Sequence, residues 1–384
     1  MAKKKQTTSK SGGSSLGIGG ILLVLALLCG GYVFGVDFSE VLEVEEGDTP
    51  SDAPQDIPVA SQGGGGEWYD IYFTNPTCPP EEERVGGMDE MFAEQILATT
   101  TASLDVAVFE LNAEPIINAL IELEERGVTV RVVVDDEHTA AATINRLRRN
   151  GMSVVGDSRS AFMHNKFMVS DERVVWTGSM NYTTNDAYCN NNNLVRIESA
   201  ALARNYTTEF EEMFGDSAFG TTSPRNTTAE LTIEGVPFEN YFTAEDKPSG
   251  RLAEIIGSAE QEILFMAFSF TQETIGDAML ERADEGIAIR GVFETTGSET
   301  QYSYYPVMLE AELDNLQVRQ DGNPRILHHK VIIIDRSIVI FGSYNFSGNA
   351  ENSNDENVVI VYDTDFASFF VEEFEAVWGE AKVQ

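Results

Sequence analysis

Two histidines and two lysines carry the chemistry that can be read from this 384-residue chain. His164 and Lys166 stand two positions apart, with Asp171 and then Gly178-Ser179-Met180-Asn181 beyond them. The arrangement returns 164 positions later as His328, Lys330, Asp335 and Gly342-Ser343-Tyr344-Asn345. The pattern H-x-K-x4-D-x6-G-S-x-N thus occurs twice. After residue 10 the only lysines are Lys166, Lys247, Lys330 and Lys382. Two of these four hold the same place beside a matched histidine, which a solvated surface gives no reason to do. On a strand, residues i and i+2 share a face, so each His–Lys pair is presented together while Phe167, Val169, Val331 and Ile333 form the buried opposite face. Two imidazoles, two ammoniums, the Ser179 and Ser343 hydroxyls and the Asn181 and Asn345 carboxamides make a donor set suited to a tetrahedral phosphate. A single histidine would ordinarily be a satisfied core residue. Packing does not explain repeated Lys and Asn at these spacings.

The surrounding chain is also written twice. Residues 104–111 alternate like a strand, residues 114–126 read as a helix, Gly127 stops it, and residues 128–134 form a second strand. Residues 263–270, 273–285, Gly286 and 287–293 repeat that order. Gly127 and Gly286, like Arg131 and Arg290, lie 159 positions apart. Strands alternating with helices of this length predict βαβ units on a largely parallel sheet buried on both sides. The boundary between halves is expected in the polar stretch 221–230, giving halves 67–225 and 226–384.

These residues resemble the phospholipase D superfamily, whose signature is this His-Lys-Asp motif in duplicate. The resemblance covers nearly all of residues 67–384 and is nearest to two-motif bacterial members related to the nuclease and cardiolipin-hydrolase branch. It implies an α/β fold, a duplicated phospholipase D-type domain whose two pseudo-symmetric halves meet at both motifs, and catalysis without metal or other cofactor. One imidazole would attack phosphorus to form a phosphohistidine; the other would protonate the leaving alkoxide and then activate water. Lys166, Lys330, Asn181, Asn345, Ser179 and Ser343 would hold the non-bridging oxygens, with Asp171 and Asp335 orienting the motifs. The family also carries an acidic residue about twenty positions after each motif, reaching across to the other half's histidine. Glu356 fits that place, whereas Asn192 departs from it. A carboxylate stabilises a cationic imidazole and an amide only orients it. Crossed pairing would make His164 the nucleophile and His328 the acid/base; pairing within each half would reverse them.

Ahead of this body, residues 1–15 contain Lys3, Lys4, Lys5 and Lys10, and residues 16–36 form an uncharged 21-residue stretch. At 1.5 Å per residue such a stretch spans a bilayer core of about 30 Å. No basic residue follows until Arg84, so the positive-inside rule expects a cytoplasmic N-terminus, a single-pass anchor in the cell membrane and the body outside. A cleaved signal peptide is the rival reading, but the stretch is long for one and lacks an A-x-A-like site. Leu28 before Cys29 is bulky for a lipoprotein site. Residues 37–66 carry eight carboxylates, no basic residue and a four-glycine end, and are expected to be a flexible linker. Cys78 and Cys189 would then face an oxidising compartment, where a disulfide could form.

Charge limits the substrates. Twenty-five Lys and Arg against 63 Asp and Glu give −38, the opposite of the basic footprint of a non-specific nucleic-acid binder. The same acidity also reads as solubility or salt adaptation. Phospholipid is the first expectation and DNA or RNA the second, with a silent phosphate-binding module as a rival from another class. With both motifs in one chain, the protein is expected to be monomeric. His138, among Asp135, Asp136 and Glu137, reads as a loop histidine among solvated acids. His329 reads as structural, Arg146, Arg148 and Arg149 as a solvated face, and Tyr302, Tyr304 and Tyr305 as either an entrance or packing.

Overall fold

A computed structural model describes residues 61–383. The expected tail (1–15), anchor (16–36) and most of the linker lie outside the described residues. Among the described residues no helix is long and apolar enough to cross a membrane.

Two eight-stranded sheets of identical strand order make up the body. The first runs Ser61–Gly65, Tyr69–Phe73, Asn193–Glu198, Val174–Gly178, Lys166–Ser170, Ser103–Val108, Thr129–Val134, Ser153–Gly156. The second runs Glu230–Ile233, Val236–Thr243, Glu356–Tyr362, Ile338–Gly342, Lys330–Ile334, Glu262–Ala267, Ala288–Phe293, Leu316–Gln320.

The expectation of a largely parallel sheet is corrected. Parallel pairing is confined to the βαβ strands, as between Ser103–Val108 and Thr129–Val134, or Glu262–Ala267 and Ala288–Phe293. Each motif strand instead turns back through a tight hairpin, which dictates antiparallel pairing with Val174–Gly178 or Ile338–Gly342. Asp171 and Glu172 sit in that turn at φ 51° each, and Asp335 and Arg336 at 50° and 51°. Short polar side chains such as Asp tolerate this left-handed backbone. The linker reading (37–66) also fails at its end. Ser61–Gly65 forms an edge strand antiparallel to Tyr69–Phe73, because ladder hydrogen bonds need only backbone.

Each sheet is apolar on both faces. Phe167, Val169, Val331 and Ile333 enter one central core shared by the halves, together with Tyr206 and Phe210 of the helix Ala200–Phe214 and Phe370 and Phe374 of the helix Thr364–Glu380. Met168 and Val106 face an outer core under the helices Met88–Thr99 and Glu114–Glu125. Ile332 and Phe265 do the same under Ser249–Gly257 and Glu273–Asp284. Tyr304 and Tyr305 belong to this second outer core and Tyr302 is exposed, so two of the three tyrosines serve packing. Arg146 pairs with Glu114 on the surface.

The halves are joined by backbone at the motifs. Met163 bridges Asp355 and Asn191 bridges Leu327, both in parallel. A Cys78–Cys189 disulfide, 111 residues apart in sequence, anchors the segment that leads into Asn191. Closing a loop of that length restricts the unfolded chain. Replacing both cysteines by serine should therefore lower stability by about 2–5 kcal/mol in urea unfolding; a change below about 0.5 kcal/mol would mean the bond contributes no constraint.

Candidate active site

Backbone contacts across the interface bring the two motifs together. The N–H of His164 donates to the Asp355 carbonyl (2.9 Å), and that of His328 to the Asn191 carbonyl (3.0 Å). Behind them, Asp135 accepts from Met163 N–H (3.2 Å) and Glu294 from Leu327 N–H (2.7 Å). Both imidazoles lie nearly buried, His164 at 6% and His328 at 7% exposure.

The side-chain pairing crosses between halves. His164 Nδ1 lies 3.2 Å from Glu356 Oε2, close enough for charge interaction but not aligned as a hydrogen bond, since that nitrogen has no hydrogen-bond partner. Such contacts are often loose before substrate arrives. Glu356 itself accepts from Asn354 Nδ2 (2.8 Å) and from the Asn345 N–H (3.0 Å). His328 Nδ1 lies 2.9 Å from Asn192 Oδ1.

Lys166 and Lys330 are buried, and each Nζ donates to the carbonyl of its own histidine, at 2.7 and 2.6 Å. Each also sits over an aromatic ring, Lys166 4.9 Å from Phe109 and Lys330 4.7 Å from Phe268. The same rings meet His164 and His328 edge-on. Sequence reading missed Phe109 and Phe268, although they share the 159-residue spacing of the repeated strands.

Two expected site residues, Ser179 and Ser343, need correction. Ser179 and Ser343 are fully buried and their hydroxyls are already engaged. Ser179 donates to Asn192 Oδ1 (3.0 Å) and accepts from Asn193 N–H (3.1 Å); Ser343 accepts from Asn357 N–H (3.0 Å). They fix the strands that support the histidines. Asn181 and Asn345 differ, because neither carboxamide oxygen has a partner. Asp171 and Asp335 stand at the far end of the motif strands, about 16 Å from the lysines at 3.3 Å per residue. There Asp171 accepts from the N–H groups of Thr101, Ala102 and Ser103, and Asp335 from those of Glu260, Gln261 and Glu262. Burial alone would raise the Asp171 pKa, but these donors outweigh it and hold it low. Both carboxylates are structural ties.

Two other histidines fall outside the pair. His329 faces away, between Asn193 and Glu373 at 3.0 Å each, and is structural as expected. His138 departs from the solvated-loop reading. Its ring packs 4.2 Å from Phe109 and its Nδ1 lies 2.8 Å from buried Asp135. Among the described residues no group of three or more His, Cys, Asp or Glu side chains is placed to hold a metal ion.

Burial dominates the electrostatics. It pushes His164 down to about 4, helped by Lys166 and opposed by Glu356. It pushes His328 well below the usual imidazole range, helped by Lys330, Lys166 and His164. Lys166 falls to about 7, with Glu356 and Asp186 resisting, and Lys330 falls well below an ordinary lysine through burial and the Lys166 charge. Glu110 rises to about 7 through burial and Asp186. The site thus holds cationic groups short of counter-charge, which an incoming anion would supply.

Paired His-Lys-Asn sites on two related α/β sheets define the phospholipase D superfamily. Within it, the chain belongs to the family described as cardiolipin synthase, PLD-like domain, whose model matches residues 94–214 and again 252–378. The human mitochondrial cardiolipin hydrolase is 36% identical over 120 residues, 31% of this chain and 48% of that protein. A phospholipase D of Rickettsia felis is 32% identical over 121 residues, 32% of this chain and 59% of that one. The chain thus spans only about half the length of these relatives. Phosphatidylserine synthase from Haemophilus influenzae shares the fold, with a TM-score of 0.62, 13% identity, and coverage of 85% of this chain and 88% of that one.

An anion should restore the lysine charge. Burial lowers the Lys166 pKa to about 7, so sulfate, whose own charge is constant from pH 6 to 9, should bind with proton uptake above that pH. Its Kd should rise about tenfold per pH unit there, with uptake visible by calorimetry in buffers of different ionisation heat. A flat Kd would show that Lys166 does not sense the anion.

Proposed function

We propose that the protein is a membrane-anchored phosphodiesterase that hydrolyses phospholipid phosphodiester bonds through a phosphohistidine, without a metal. The observation that carries this reading is the crossed arrangement, in which Glu356 backs His164 and Asn192 backs His328 above two buried lysines.

His164 Nε2 attacks phosphorus, the bond to the leaving alkoxide breaks, and His328 gives that oxygen its proton. Water then attacks the phosphohistidine while His328 takes its proton, and the P–N bond breaks to regenerate His164. Lys166, Lys330, Asn181 and Asn345 stabilise the charge on the non-bridging oxygens. Residues 16–36 hold the N-terminus in the cytoplasm and the site outside; the Cys78–Cys189 bond supports an oxidising compartment. The tether, the names of the curated relatives and the acidic surface favour lipid over polynucleotide.

The full chain in detergent micelles with EDTA, wild type and His164→Ala, tests this against mixed phosphatidylcholine and cardiolipin and against single- and double-stranded DNA. Headgroup or phosphatidic acid should appear with the wild type alone. DNA cleavage without lipid turnover would replace the lipid reading with that of a tethered nuclease. His328→Ala should cost about 10²–10⁴-fold with an alkyl leaving group and far less with a nitrophenolate; equal losses would rule out its acid role.

A further inference from the structure

The two halves differ in where their supporting carboxylate stands. In the second half it is Glu356, which receives the Asn354 amide (2.8 Å). At the equivalent of Glu356 the first half has Asn192, yet Asn190, the equivalent of Asn354 at the 164-residue offset, still donates to a carboxylate. That acceptor is Asp186 Oδ1, at 3.1 Å. The position matching Asp186 in the second half is Ala350. One carboxylate per half is thus kept, displaced by six residues, while the supporting asparagine keeps its place and donates to it in either position.

Asp186 is 3% exposed and heavily hydrogen-bonded. Asn192 Nδ2 donates to its Oδ1 at 2.8 Å and Thr183 Oγ1 to its Oδ2 at 2.7 Å. An ionised carboxylate only accepts, so it fixes the Asn192 amide with nitrogen toward Asp186 and oxygen toward His328. Ser179 adds a second donor to that oxygen. An amide oxygen facing His328 Nδ1 requires the proton on Nδ1 and leaves Nε2 for the site. Asp186 Oδ1 also lies 3.6 Å from His328 Nδ1 itself. The charges of Lys330, Lys166 and His164 oppose a proton on this imidazole, and Glu294 holds the neighbouring Leu327 N–H.

We propose that Asp186 is a positioning residue that replaces the missing carboxylate of the first half: acting through Asn192, it sets the His328 tautomer and stabilises the imidazolium that protonates the leaving group. This rests on the phosphodiesterase reading for its catalytic consequence and is independent of it for the tautomer and proton affinity. Glu356 reaches His164 directly, whereas Asp186 reaches His328 through an amide. The two imidazoles are therefore supported unequally, as their unequal roles require.

The test uses the full chain with ¹⁵N-labelled histidine in saturating sulfate, as wild type, Asp186→Asn, Asp186→Ala and Asp186→Ala/Asn192→Glu. In Asp186→Asn the His328 resonances should report an imidazole at least about tenfold weaker as a base, or a changed tautomer. Turnover of an alkyl phosphodiester should fall about 10–100-fold, with little change for a nitrophenyl ester. Asp186→Ala/Asn192→Glu, which copies the second half, should recover the alkyl rate to within about threefold of wild type, whereas Asp186→Ala alone should not. Unchanged His328 resonances in Asp186→Asn, or a double variant no better than Asp186→Ala, would overturn the proposal. Absence of wild-type turnover would instead count against the phosphodiesterase reading, and the His328 resonances would still decide the role of Asp186.

Discussion

The site rests on an exchange of backbone hydrogen bonds between halves. Each motif histidine donates its N–H to a carbonyl of the opposite half, His164 to Asp355 and His328 to Asn191. Because these bonds sit on the motif histidines themselves, neither imidazole can shift without moving the other half. Side chains reinforce both junctions. Arg159 pairs with Asp355, Asn323 Nδ2 donates to the Cys189 carbonyl and to Asn191 Oδ1, and the disulfide holds Cys189 in turn. The central core around Tyr206, Phe210, Phe370 and Phe374 supplies the apolar burial that keeps the halves closed.

Closure has an electrostatic consequence. Four cationic or protonatable side chains are taken out of water in one place, and burial lowers the proton affinity of each. Such a group is costly to keep charged unless paired. Glu356 and Asp186 compensate part of this, and a phosphodiester anion would complete the balance. Donors already fixed before an anion arrives need little reorganisation to meet the charge on its oxygens. An acidic exterior around this interior narrows the positive potential to the site itself.

Repetition made the chemistry legible. A shared 164-residue offset singles out His164, Lys166, Asn181 and their partners, and strand periodicity alone places Phe167 and Val169 opposite Lys166, as observed. The asymmetry between Glu356 and Asn192 was equally visible. What repetition could not separate was chemistry from architecture within the motif. Ser179, Ser343, Asp171 and Asp335 recur as faithfully as the histidines, yet they tie strands and turns.

Local sequence therefore determined the duplicated α/β halves, the faces of their strands and the identity of the His–Lys–Asn set. These follow from periodicity and composition within a few residues. Only the tertiary structure decided that the support crosses between halves, that hairpins make the sheets mixed, and that Asp186 stands behind Asn192 where a carboxylate was missing. The physical reason is separation along the chain. His164 and Glu356, or His328 and Asp186, meet only because two independently patterned sheets bury their apolar faces against each other, and no local pattern encodes which side chains that burial brings into contact.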